Sequence, residues 1–250
     1  MSTAESPLAT AEGPTPKSFP ARFVGIFVSP RETFADIARR PDFIAPLIVL
    51  ILMAIAVSEV VLAKIDMARI VRMQLEQSGR ASSMSPEQAQ QAVEQGARIG
   101  TIVGHFGFLF AVIGLLIAAG IGLLVVNAIF GGKATFRTVF SVTCYSNLVS
   151  VLGAVIVAVV VLFGDVEHFN PQSPTPTNLG FFLSPTDTPR PLLSLASSFD
   201  LFTLWIIILM GIGLSEATAR KVKTASITLT LFGIWMIWVL IKVGLSTLRP

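Results

Sequence analysis

The side chains of this chain that could do chemistry are few, and most lie inside or at the edges of long apolar runs. Glu59, Asp200 and Glu216 bring carboxylates, and Asn127, Tyr145 and Asn147 bring hydrogen-bonding groups. Either kind is costly in hydrocarbon unless it finds a partner. Within a membrane a carboxylate suits proton or ion movement; at a span end it is a helix cap or a snorkelling neighbour. Both readings stay open for Glu59 and Asp200, with Lys64 close enough in sequence to partner Glu59. Enzyme chemistry has less behind it. The two histidines, His105 and His168, are far apart and sit in no HExxH or comparable ligand spacing, so no metal is expected. Neither is near a serine or Cys144 as a base would be, and no Walker loop or G-x-S-x-G turn occurs. Gly164-Asp165 is too short a signal for an aspartyl protease. The expectation is a non-enzyme without catalytic residues, metal or cofactor.

The elements that carry these residues are membrane helices. Apolar residues make up 53% of the chain and charged residues 13%, about half the soluble norm. Five segments reach the roughly 20 apolar residues that a span needs, at about 43–63, 99–130, 138–163, 199–215 and 225–245. None alternates like a barrel strand. The fold class is therefore all-α, a polytopic membrane bundle of five transmembrane helices with a short amphipathic helix leading in. Residues 1–22, rich in Pro, Ser, Thr and Ala and without a leader's apolar core, read as a disordered tail; 23–245 form the membrane domain, and 246–250 a C-terminal tail. One cysteine excludes an intramolecular disulfide, and a net charge of +3 spread beside apolar runs argues against nucleic acid as a partner.

Two helical patterns add detail. In "FVSPRETFADIARRPDF" Ser29, Pro30 and Glu32 form a helix start of the capping-box type, and Pro41 ends the segment. Phe34 and Ile37 share one face, toward lipid or bundle, and Arg39 and Arg40 suit the negative end of the helix dipole, the pattern of a membrane-surface helix. Along the second span Gly96, Gly100, Gly104, Gly107, Ala111, Gly114, Ala118 and Gly122 recur every three or four positions, a small-residue stripe for close helix packing, within the monomer or between copies. A second start signal, Ser85-Pro86 with Gln88, suggests that this helix begins well before the membrane and runs from Pro86 to Phe130.

Orientation follows from the basic residues. Ten fall on the N-terminal side (Lys17, Arg22, Arg31, Arg39, Arg40, Lys133, Arg137, Arg220, Lys221 and Lys223) and eight opposite, five of those in the first loop. The N-terminus is placed in the cytoplasm. The third loop, with six prolines in "NPQSPTPTNLGFFLSPTDTPRP", then faces outward and is expected to be extended or irregular.

The segments "SPRETFADIARRP", "GGKATFRTVFSVTCYSNL" and "FDLFTLWIIILMGIGLSEAT", together with five spans, resemble a prokaryotic member of the Yip-one domain family, the Ypt/Rab-interacting membrane proteins, over most of residues 23–245. The resemblance implies a five-span fold with a cytoplasmic N-terminus and no enzyme activity. It also implies an association with membrane shaping or sorting, with a Rab-type GTPase as partner only where the cell has one. The expected function is that of a non-enzymatic scaffold or adapter in the bacterial cytoplasmic (inner) membrane, with membrane lipids, a membrane protein or a second copy as partner. The alternative is a small-solute permease or an accessory transporter subunit, using the polar residues gathered toward one leaflet.

Overall fold

The computed structural model describes residues 17–164, 170, 173–184 and 187–247; the expectations for 1–16, Asp165, His168 and 248–250 fall outside them. Among the described residues the order is α1 (Phe19–Val28), α2 (Pro30–Arg39), α3 (Ile44–Lys64), α4 (Met67–Gln77), α5 (Pro86–His105), α6 (Gly107–Leu124), α7 (Phe136–Asn147), α8 (Ser150–Phe163), α9 (Arg190–Ala196), α10 (Leu201–Ala217) and α11 (Thr224–Thr247). There is no strand among them, only an isolated bridge between Asn178 and Asp200.

Four stretches are long and apolar enough to cross a membrane: Ile44–Lys64, Gly107–Ile129, Phe136–Phe163 and Thr224–Thr247. The fourth of the five expected spans is α10, a shorter apolar helix of 17 residues. Its backward extension does not form. Asp200 ends the helix by accepting from the N–H groups of Phe202 and Thr203, and the residues before it fold into the separate helix α9 instead of an irregular loop. The surface of the long helices is what lipid requires. Only 6% of the most apolar window of α3 is buried, so its Ile, Leu and Val side chains face outward, as do Ile113, Ile117, Trp238 and Leu240 on α6 and α11.

The single helix expected from Pro86 to Phe130 is broken. Its Ser85–Gln88 capping box forms, but α5 stops at His105 and α6 starts at Gly107, with Phe106 at φ −98°, ψ 8° between them. At its other end α6 widens into a π-turn over Val125–Ile129, closed by the Phe130 N–H donating to the Val125 carbonyl at 3.2 Å. α4 and α5 pair as a hairpin beyond the end of α3, and a small core of Ile65, Ile70 and Val161 joins that hairpin to α8.

The main core lies at the other end of the bundle, where α1, α2, α6, α7 and α10 meet around Ile26, Phe34, Ile37, Ala119, Val142, Tyr145, Leu209 and Leu214. The N-terminal helix begins at Phe19, inside the stretch expected to be a disordered tail. Phe19, Phe23 and Phe27 recur at four-residue spacing and form a ladder of rings that ends on Trp205 of α10, which anchors the segment.

Candidate functional site

α1 turns directly into α2 at Ser29, which is at once the last cap of the first helix and the first cap of the second. In that double role its backbone, at φ −144° and ψ 62°, leaves the hydroxyl out of reach of the α2 amides; the expected capping box does not form, and Glu32 pairs instead with Lys17 at 3.7 Å. The two helices pack closely because Gly25 presents no side chain to Thr33. Phe34 and Ile37 are both 0% exposed. Of the two directions open to them, the structure selects the bundle: they are core residues of α2 against α7 and α10, not lipid anchors of a surface helix. Arg31, Arg39 and Arg40 remain outside.

The same end of the molecule gathers the short turns. Gly132, in the turn between α6 and α7, lies against the side chain of Thr218 in the turn between α10 and α11. Glu216, with its side chain 10% exposed, lies 3.7 Å from Arg31 of α2 and 3.8 Å from Arg220. The α10–α11 turn takes two consecutive residues, Ala219 and Arg220, through positive φ, 51° and 60°. That uncommon backbone is held by Ser215 Oγ donating to the Val222 carbonyl at 2.7 Å and by the Thr218 hydroxyl donating to the Ser215 carbonyl at 2.7 Å.

A cavity of about 430 Å³ opens here, lined by Lys17, Phe19, Arg22, Arg40, Pro41, Asp42, Arg137 and Tyr145. Arg22 and Tyr145 form its buried side, whereas Arg40 and Arg137 are exposed at its mouth. Arg22 is fixed from behind. Its Nε donates to Oδ2 of Asp36 at 2.8 Å and its Nη2 to the Arg40 carbonyl at 3.2 Å. Burial works against its charge, but Tyr145 and Asp36 beside it favour that charge and prevail, so its pKa stands above the ordinary arginine value. The guanidinium carbon is 5.9 Å from the centre of the Tyr145 ring, close enough for a cation–π attraction. The Tyr145 hydroxyl is buried beside that guanidinium and meets no acceptor for its own proton.

The other polar residues singled out from the sequence are spread through the fold and serve local structure. Glu59 pairs not with Lys64 but with Nδ1 of His105, at 2.7 Å, because the helix break brings the end of α5 alongside α3. Asn127, in the π-turn, donates to the Ala134 carbonyl and accepts from the Ala134 N–H, both at 2.9 Å. Asn147 donates to the Thr143 carbonyl at 2.8 Å, next to the break between α7 and α8. Asp200, besides capping α10, accepts from the Thr177 hydroxyl at 3.0 Å.

The small-residue stripe is divided by the helix break. Gly104 lies against Leu62 and Gly100 faces Met67, both from the α3–α4 side; Gly122 packs on Val139, Met210 and Leu214. Gly107 and Gly114 have nothing within 4 Å of where a Cβ would stand, and Ala118 is half-buried. The stripe is not one continuous seam in the monomer. Glycines of α10 also make close helix contacts, Gly211 against Thr228 and Gly213 against Val142 and Phe34.

Residues 24–243 match the Yip1 domain. This chain belongs to the Yip1 domain family. A curated relative, "Membrane protein YknW" of Bacillus subtilis (strain 168), is 30% identical over 217 residues, which cover 86% of this chain and 86% of the relative. No solved structure matches. The chain is thus a Yip1-family integral membrane protein, and the family is not one of known enzymes.

Of the residues that line the cavity, Arg40 and Tyr145 stand out in the sequence as candidates and Lys17, Arg22 and Arg137 only as basic residues of one side; the cavity that gathers them with Asp42 does not. No short-range signal marks it, because Arg22 and Tyr145 meet only through tertiary packing.

Proposed function

We propose that this Yip1-family protein organises membrane as a non-enzymatic scaffold or adapter. It lies in the bacterial cytoplasmic membrane with five spans and a cytoplasmic N-terminus, and its partners are lipids and a membrane protein or further copies of itself. The observation that carries this reading is the burial of Phe34 and Ile37. It turns an amphipathic segment into a fixed part of the bundle and leaves Arg31, Arg39 and Arg40 exposed, Arg31 against Glu216 of α10 and Arg40 sharing a cavity with Arg137 of α7, while Lys133, Lys221 and Lys223 are exposed in the α6–α7 and α10–α11 turns. Such a rigid basic platform suits an anionic headgroup surface, and an excess of Lys and Arg in short loops favours the cytoplasmic side. The 17 residues of α10 are at the lower limit for a span, and its packing between α2, α7 and α11 supports counting it as the fifth.

The permease reading gains no support. Most of the polar groups it would use are engaged locally: the Ser141, Thr143 and Thr230 hydroxyls donate to carbonyls four residues back in their own helices, and Asn127 and Asn147 are bonded as described, while the Tyr145 and Ser146 hydroxyls are buried without an acceptor and line no path through the bundle among the described residues.

Photo-crosslinking from Arg39 and Lys221 in intact membranes tests the scaffold reading, with the lipid-facing position Leu240 as control. Discrete protein adducts shared by the first two sites are expected. Only the diffuse background found at Leu240 would count against it.

A further inference from the structure

We propose that the cavity between α1, α2 and α7 binds the phosphate group of an anionic ligand. Four cations line it, Lys17, Arg22, Arg40 and Arg137, against one lining carboxylate, Asp42. Asp42 is already occupied in part, accepting from the Ile44 N–H at 3.1 Å, and Lys17 is shared with the largely exposed Glu32. Arg22 is balanced by Asp36. Arg40 and Arg137 have no ion-pair partner among the described residues, so the mouth carries an uncompensated positive charge. Gathering like charges around one space is unfavourable unless an anion completes the set.

A second, independent observation points the same way. Tyr145, a residue 0% exposed, is among the residues that line this cavity, and its buried hydroxyl stands beside the Arg22 guanidinium without an acceptor for its proton. A buried hydroxyl without an acceptor is costly, and an acceptor in the cavity removes that cost. Phosphate suits the donor set because its several acceptor oxygens match guanidinium forks in bidentate fashion and leave one for a hydroxyl. The cavity is open at its mouth, and its volume of about 430 Å³ leaves room for a phosphate group between Arg22, Arg40 and Arg137. No bond is made or broken; this is a binding site.

A phospholipid headgroup and a soluble phosphate share this chemistry, and the lipid source rests on the proposed placement of this end of the bundle at the membrane surface. The test uses the full-length protein in nanodiscs of phosphatidylcholine. One arm titrates inorganic phosphate and glycerol phosphate against chloride at constant ionic strength and follows thermal unfolding. The other adds phosphatidylglycerol or phosphatidic acid to the discs and counts retained lipid by native mass spectrometry. The wild type should be stabilised in the first arm or should retain anionic lipid in the second, the responding arm identifying the source.

Arg40→Gln and Arg137→Gln, at exposed positions, should each weaken that response by about tenfold or more, the factor expected from losing one charge-assisted hydrogen bond. Tyr145→Phe should unfold no earlier than the wild type without ligand, yet show a reduced response with it, a split that a purely structural role of the hydroxyl would not produce. Equal responses in the wild type and all three variants, or no response in either arm, would overturn the proposal. Because the purified protein is tested without partners, that failure leaves the crosslinking result for the scaffold standing or falling by itself.

Discussion

Nε of Arg22 lies 2.8 Å from Oδ2 of Asp36, and both side chains are almost wholly buried, about 5% exposed each. The pair locks α1 to α2 beneath the basic cavity, and the Arg40 carbonyl takes a further N–H from the same guanidinium. An ion pair in this setting contributes little net stability over an apolar pair, but half of one is a liability, because the survivor keeps its desolvation cost without its partner.

Arg22→Ala or Asp36→Ala should therefore destabilise the protein by roughly 3–5 kcal/mol, while the double replacement Arg22→Met with Asp36→Leu should recover most of that loss. Thermal or denaturant unfolding in nanodiscs reads the difference. Single variants that unfold like the wild type would mean that α1 and α2 are not held together through this pair.

The glycines divide into those that touch a neighbour and those that do not. Gly213→Ala would drive a methyl group into Val142 and Phe34, and overpacking of this kind costs about 1–3 kcal/mol. Gly114→Leu, pointing into open space, should leave monomer stability nearly unchanged. A large loss at Gly114 accompanied by loss of a dimer would instead assign that face to contact between copies.

Asn127 bridges the π-turn to Ala134 with one donated and one accepted bond. Its replacement by Ala should cost about 2 kcal/mol, at roughly 1 kcal/mol for each bond. Asn127→Asp, which keeps the acceptor alone, should fall between. Limited proteolysis in the Phe130–Ala134 turn should rise in the same order, and an unchanged cleavage rate would show that the turn is held by other means.

Topology decides which surfaces a partner can reach. In a Cys144→Ala background, single cysteines at the exposed positions Ser83, Asp187 and Lys221 sample three loops. With five spans and the N-terminus inside, an impermeant thiol reagent should label positions 83 and 187 on intact cells and position 221 only after lysis. Protection at 83 alone would mean that α3 does not cross, which would place the α4–α5 hairpin beside the basic platform.

Class, family and most helix positions were legible in the sequence because each depends on residues close together in the chain. Long apolar runs specify spanning helices, the Ser85–Gln88 start formed as read, and Asp200 acts as the cap that its position before "LFTLW" allows. Tertiary packing decided the rest. The direction of Phe34 and Ile37 was undetermined while lipid and protein core offered the same apolar surroundings, and it was settled by Gly213, which lets the Phe34 ring approach α10. The stripe from Gly100 to Gly122 reads as continuous on an ideal helix, but the backbone at Phe106 leaves helical geometry, and the glycines on its two sides meet different neighbours or none. The cavity could not be foreseen at all. Arg22, Arg40, Arg137 and Tyr145 lie on α1, the end of α2 and the length of α7, and local periodicity says nothing about charges that meet only when three helices pack.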